Sequence, residues 1–187
     1  MSLDNLVTQN QEEIAIFAGG CFWCTEAVFL ELNGVLKVVS GYIGGYTINP
    51  NYTSICTGTT GHAEAIQITF NPQKISFGEL LEVFFATHDP TTLNRQGNDV
   101  GTQYRSEVFF LTEEQKEITK DYINLMNKKF MFGSPIVTKI SAATTFYEAE
   151  DYHKNYYNQN KFQGYCSYVI TPKIEKVRKK FQSKLKN

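Results

Sequence analysis

The order in which strand-like and helix-like stretches follow one another is what most narrows the folds open to this chain. The run "IAIFA" (14–18) reads as a buried strand, broken by Gly19-Gly20. "FWCTEAVFLEL" (22–32) reads as a helix whose only charges are Glu26 and Glu31, so most of its surface should be buried. After the turn signal Asn33-Gly34, "VLKVVSGYI" (35–43) reads as a second strand. "AEAIQITF" (63–70) alternates as a third strand, Ser76 and Glu79 form a capping box for the helix "FGELLEVFFATH", and "YRSEVFFL" (104–111) closes the set as a fourth strand.

The order β-α-β-β-α-β is the signature of a ferredoxin-like split βαβ unit. Beyond it, Thr112 and Gln115 cap an amphipathic helix to about residue 129, and "PIVTKI" (135–140) reads as an added strand. "EAEDYHKNYYNQN" (148–160) reads as helix and "KFQGYCSY" (161–168) as an irregular tail, and Thr171-Pro172 open a basic final helix. No repeat or linker divides the chain, so its 187 residues are expected to form one α+β domain. Residues 1–12 are expected to be a flexible arm, and 161–170 a mobile tail carrying Cys166. Two stretches, 44–62 and 89–103, have no period, and loops of that length in compact domains are functional or disordered.

A formal charge of -1 gives no general pull toward nucleic acid or acidic membranes. The opening "MSLDNLVTQNQEE" has neither a basic nor an apolar secretory region, and no apolar run approaches the ~18 residues of a membrane span. A cytoplasmic protein is expected, in which four cysteines are reactive or plainly buried rather than a disulfide framework. His62, His88 and His153 lack zinc-ligand spacing, so neither metal nor cofactor is expected.

Cys21 follows a strand and a glycine pair and stands at a helix start, where free N–H groups favour an anion and lower a thiol pKa. A free cysteine is usually inert and buried. Here the glycines, which let a substrate approach the backbone closely, favour the reactive reading. Phe22 and Trp23 either belong to the core or form an apolar notch beside that thiol. Cys24, three residues on, is near enough for a disulfide in principle. Glu64 is either a carboxyl with a raised pKa, protonated at neutral pH and able to act as an acid, or a residue on the solvent face of its strand. The stretch "HDPTTLNRQGNDVGTQYRS" is dense in hydrogen-bonding side chains, as loops around a site are.

The blocks "GGCFWCTEA", "YTSICTGTTGHAEA", "HDPTTLNRQGNDVGTQYRS", "FYEAEDYH" and "GYCSYVI" resemble, in order, the motifs of A-type peptide methionine sulfoxide reductases, over about residues 14–170. The resemblance implies an α/β sandwich around the ferredoxin-like core. It also implies reduction of methionine sulfoxide, of the S epimer at sulfur, both in oxidised proteins and peptides and as the free amino acid. Carried onto this sequence, Cys21 is the nucleophile, Glu64 the acid, and Tyr52 and Tyr104 the hydroxyls that bind the sulfoxide oxygen. Phe22 and Trp23 form the methyl pocket, and Asp99 is a polar residue of the same site, reached through water. Cys21 then becomes a sulfenic acid, Cys166 is the resolving thiol, and thioredoxin is the usual reductant. Family members often have Gly where this chain has Cys24, a candidate relay, and some carry a further recycling cysteine after the position of Cys166, which this chain lacks. Cys56 is expected to be structural.

Two rival readings compete. A thioredoxin-like disulfide oxidoreductase would pair Cys21 with Cys24, and Pro135 before "IVTKI" echoes the proline that precedes a strand in that fold. A module that binds oxidised methionine without turnover would keep the aromatic pocket but have no need of Cys21.

Overall fold

The computed structural model describes residues 12–186, so the expected arm lies almost wholly outside the described residues. The chain runs β1 (Glu13–Gly19), α1 (Phe22–Leu30), β2 (Val35–Ile43), α2 (Tyr52–Cys56), β3 (Ala63–Phe70) and α3 (Phe77–Thr87). A two-stranded ribbon, β4 (Arg95–Gln96) and β5 (Asp99–Val100), precedes β6 (Ser106–Phe110) and α4 (Glu113–Lys128). Then come β7 (Lys139–Ala142), β8 (Tyr147–Glu148), α5 (Tyr156–Gln159) and α6 (Thr171–Lys180). The main sheet has six strands in the order β7-β6-β1-β3-β2-β8. Its central pairings are antiparallel, with Ala15 opposite Ile68 and Tyr42 opposite Glu64, and only β7 runs parallel to its neighbour β6.

Strand alternation divides the core between the two faces of the sheet. Ala15 and Phe17 of β1 and Ile66 and Ile68 of β3 meet Val28 and Phe29 of α1 and Leu80, Leu81 and Phe84 of α3. Phe17 stacks on Phe84 with ring centroids 4.8 Å apart. Ile16, Ala18, Ala63, Ala65 and Phe109 face the other way, under Phe146. The capping box at α3 is formed: Ser76 Oγ accepts from Glu79 N at 3.2 Å, and Ser76 N donates to Glu79 Oε2 at 2.8 Å.

Several expectations need correction. The stretch 44–62 holds α2, whose cap Asn51 accepts from Ser54 N at 2.9 Å, and 89–103 holds the β4–β5 ribbon. Tyr104 ends a 3₁₀ turn rather than opening a strand. The strand expected at 135–140 lies at 139–142, because Ile136 N is bonded to Asn127 Oδ1 (2.9 Å) and Val137 N to Pro90 O (2.8 Å). Pro135 therefore does not precede a strand, which removes that support for the thioredoxin-like reading. The helix expected at 148–160 is broken into β8, a 3₁₀ turn at Asp151–His153 and α5, with Asn155 left-handed at φ 49° between them. Finally, 161–168 is largely helical rather than irregular: Cys166–Ile170 forms a π-helical turn that runs into α6. Pro172 has no N–H to donate, and the wider i→i+5 register, in which Thr171 N–H reaches Cys166 O, carries the chain past it.

Candidate active site

The turn from β1 into α1 sets the position of Cys21. Gly20 has φ +94°, and a Cβ there would come within 2.6 Å of Gln96 Cγ, while one on Gly19 would meet Phe84 at 2.7 Å. The glycine pair thus makes room for the molecule's own side chains, not for substrate as the sequence suggested. Cys21 is the N-cap of α1 (φ -57°, ψ 125°), but its thiol makes no capping bond to the N–H groups of the first turn.

The first of those N–H groups, on Phe22, donates to Glu64 Oε2 at 3.1 Å. Glu64 is only 1% exposed, because β3 is covered on both faces at this point. Burial favours the neutral acid, whereas the helix N-terminus favours the anion. Burial wins: the Glu64 carboxyl is pushed up to about 8. Of the two readings the sequence left open, the buried carboxyl is the one found.

Cys21 departs from expectation. Burial pushes its thiol well above the ordinary range, with contributions from contact with Cys24 and from the negative charge of Glu64, and these outweigh the lowering effect of contact with Tyr165. In the same pair, the hydrogen bond from Cys21 pulls Cys24 down to about 7. The two thiols share protons as a unit, and the first to leave is lost from the pair.

Tyr52 and Tyr104 approach Glu64 from α2 and from the 3₁₀ turn before β6. Burial raises both phenols and keeps them protonated donors, with Glu64 adding to the shift in each. Beneath them lies a network the sequence reading missed. Glu150 accepts from Tyr52 N at 2.7 Å and from the Tyr42 hydroxyl at 2.8 Å, bonds that hold its carboxyl down against burial. His153, neutral because it is buried, accepts the indole N–H of Trp23 at 2.9 Å on Nδ1. The only signal for this pair was its place in "FYEAEDYH". The Glu64 loop is pinned by His62, which accepts from Gly45 N at 3.0 Å through Nδ1 and donates from Nε2 to Thr47 O at 2.8 Å.

The apolar walls are present but covered. Phe22 is 0% exposed, packed on Tyr42 and His153, and Trp23 lies flat against Tyr156 (3.8 Å, 6°) and edge-on to Tyr165 (6.1 Å, 78°). The Tyr165 hydroxyl donates to Asp99 Oδ2 at 2.8 Å and lies 3.7 Å from Cys24 Sγ. Cys166 packs in the same cluster as Cys21 and Cys24. Beside the thiols a cleft of about 720 Å³ opens between His88, Asp99, Tyr165 and Lys173, with Cys21 and Cys24 on its floor. Cys56, expected to be structural, is instead exposed at the end of α2 and touches Tyr52.

A thiol at a helix start, with a protonated buried carboxyl and two protonated phenols near it, has the groups that cysteine-based redox chemistry needs. The family model described as peptide methionine sulfoxide reductase matches residues 13–185. The peptide methionine sulfoxide reductase MsrA of Deinococcus radiodurans is 59% identical over 175 residues, covering 94% of this chain and 85% of that protein. Among solved structures, reduced Mxr1 of Saccharomyces cerevisiae superposes with a TM-score of 0.77 at 35% identity, covering 84% of this chain and 91% of that one. Mxr1 in complex with Trx2 matches with a TM-score of 0.54 at 26% identity, over 83% and 92% of the two chains. This chain belongs to the peptide methionine sulfoxide reductase family, enzymes that reduce methionine sulfoxide. That membership sets aside the rival of a binding module without turnover.

Proposed function

We propose that this chain reduces methionine S-sulfoxide, in oxidised proteins and peptides and as the free amino acid, with Cys21 as nucleophile and Glu64 as proton donor. The observation that carries the reading is Glu64, nearly fully buried, anchored to the first N–H of α1 and raised to about 8. A sulfoxide sulfur yields to a thiolate only as its oxygen gains a proton, and a carboxyl still protonated at neutral pH can supply one. Tyr52 and Tyr104 orient the S–O bond, and Trp23 with Phe22 receives the methyl group. Methionine departs and leaves Cys21 as a sulfenic acid, and the oxidising equivalent passes to Cys166 as an intramolecular disulfide.

Tyr156 and Tyr165 cover Trp23, so substrate enters as both withdraw, Tyr165 with a mobile 161–170 segment. Withdrawal also lets water reach Cys21, lowering the burial penalty that holds its thiol protonated. A thioredoxin reopens the disulfide, a reading supported by the match to Mxr1 in its complex with Trx2. Four free cysteines fit a cytoplasmic setting, and no helix among the described residues is long and apolar enough to cross a membrane. The ferredoxin-like reading of the core is supported by the order β6-β1-β3-β2, with helices following β1 and β3.

The test is Cys21→Ser, which should abolish turnover of methyl sulfoxides while leaving the fold intact, because a neutral hydroxyl is a far weaker nucleophile. Steady turnover by the folded variant would overturn the assignment.

A further inference from the structure

Three thiols share one cluster in this molecule, and they are not equivalent. Cys21 caps α1 and Cys24 is the third residue of its first turn, with Cys24 N–H bonded to Cys21 O at 3.1 Å. One tight turn holds their Cα atoms about 5 Å apart, inside the ~4.4–6.8 Å span of a disulfide. Because the cap residue lies outside helical geometry, its Cβ is not bound to the ordinary helical spacing. The two thiols already interact with one another. Both lie on the floor of the open cleft.

Cys166 is placed differently. It is 0% exposed, does not line the cleft, and is held by the π-helical turn, where its carbonyl accepts from Thr171 Oγ1 at 3.1 Å. It packs against the group containing Cys24 and feels the charge of Cys24, so Cys24 is a neighbour to both of the other sulfurs. The Tyr165 hydroxyl, whose proton goes to Asp99 Oδ2, lies 3.7 Å from Cys24 Sγ, where its oxygen can accept from the thiol.

We infer that Cys24 is the first thiol to resolve the Cys21 sulfenic acid, and that it hands the resulting disulfide on to Cys166. The inference rests on the proposed reductase function and adds a middle step to it. In the first exchange the Cys24 thiolate attacks Cys21 Sγ, the S–O bond breaks, and the departing hydroxide takes up a proton and leaves as water. The product is a Cys21–Cys24 disulfide. In the second exchange the Cys166 thiolate attacks Cys24 Sγ, the Cys21–Cys24 bond breaks, and Cys21 leaves as a thiolate that takes the proton Cys166 lost. The second step involves no net redox change, and it frees the nucleophile before any external dithiol arrives.

The test mixes one equivalent of acetylated methionine sulfoxide with the full-length protein without reductant, quenches with acid at successive times, and maps disulfides by mass spectrometry. Methionine release is followed in the same samples. The wild type should show the Cys21–Cys24 disulfide first and the Cys24–Cys166 disulfide later. Cys166→Ser should stop with Cys21–Cys24 bonded. Cys24→Ser and Cys24→Ala should each release one methionine and accumulate the sulfenic acid, trapped as roughly one dimedone adduct per chain. A Cys21–Cys166 disulfide formed by the Cys24 variants as fast as the wild type closes its own, with no adduct, would overturn the relay while leaving the reductase function standing. No methionine release from any variant or the wild type would instead strike at the function itself.

Discussion

At the scale of single residues, the proposed chemistry depends on which of two opposed effects acts more strongly on Glu64. The free N–H groups of α1 favour its anion, a benefit of roughly 0.3–2 kcal/mol. Burial on both faces of β3 outweighs this and leaves the carboxyl protonated up to about pH 8. Glu64→Gln keeps the shape and the bond from Phe22 N–H but removes the transferable proton. The single-turnover rate of methionine release should fall by roughly 10²–10⁴-fold. In the parent enzyme the same rate should decline as pH rises through about 8, because the ionised form has no proton to give. An unchanged rate in the Gln variant would mean that Tyr52 and Tyr104 suffice as donors. The environment of Glu64 was not legible in the sequence, since strand alternation assigns each residue to a face without saying whether the face is covered. Here Ala63, Glu64, Ala65 and Ile66 are all buried, so β3 has no solvent side at this point.

At the scale of elements, legibility followed locality. The strands at 35–43 and 63–70 and the capped start of α3 were read to the residue, because period, turn signal and cap are all written in neighbouring side chains. Ser76→Ala should therefore cost about 1 kcal/mol in urea unfolding, the usual value of a lost N-cap. An unchanged midpoint at an unchanged slope would show that Lys184, which pairs with Glu79, holds this end of the helix unaided. The C-terminal segment was misread because its determinants are distant: the break at Asn155 and the π register at Cys166 go with packing on α1. That packing gives the enzyme a built-in reporter. Trp23 is the only tryptophan, and its flat contact with Tyr156 shields it while the segment is docked. In the Cys21→Ser protein, saturating methionine sulfoxide peptide should alter Trp23 emission as Tyr156 leaves its face. Tyr156→Ala should raise acrylamide quenching without any substrate. Emission indifferent to both would mean that the segment does not move for substrate to enter.

At the scale of the whole molecule, two buried ionisable groups shape stability against pH from opposite sides. Glu64 titrates near 8 when folded against an ordinary 4.5, so the folded state binds the extra proton between those values. Its contribution is complete below 4.5 and is lost as pH rises through about 8. His88 donates and accepts between Phe84 O (2.6 Å) and Ser106 Oγ (2.7 Å), and burial lowers it to about 4 from 6.5. Its contribution is complete above 6.5 and is lost as pH falls through about 4. Between 4.5 and 6.5 the two slopes oppose each other; between 6.5 and about 7 Glu64 lowers stability, and above about 7 Cys24, held below its ordinary 9.0 in the folded state, works against it. In Cys24→Ser, where that thiol no longer titrates, unfolding free energy should therefore fall with rising pH between 6.5 and 8 by about 1.4 kcal/mol per unit, the slope of one proton. Urea unfolding measured at half-unit steps from pH 4.5 to 8.5 checks this. Adding Glu64→Gln to that variant should abolish the alkaline slope while the acid limb set by His88 and His153 remains. A slope that survives the substitution would assign the proton to another group and would remove the stability argument for a protonated Glu64.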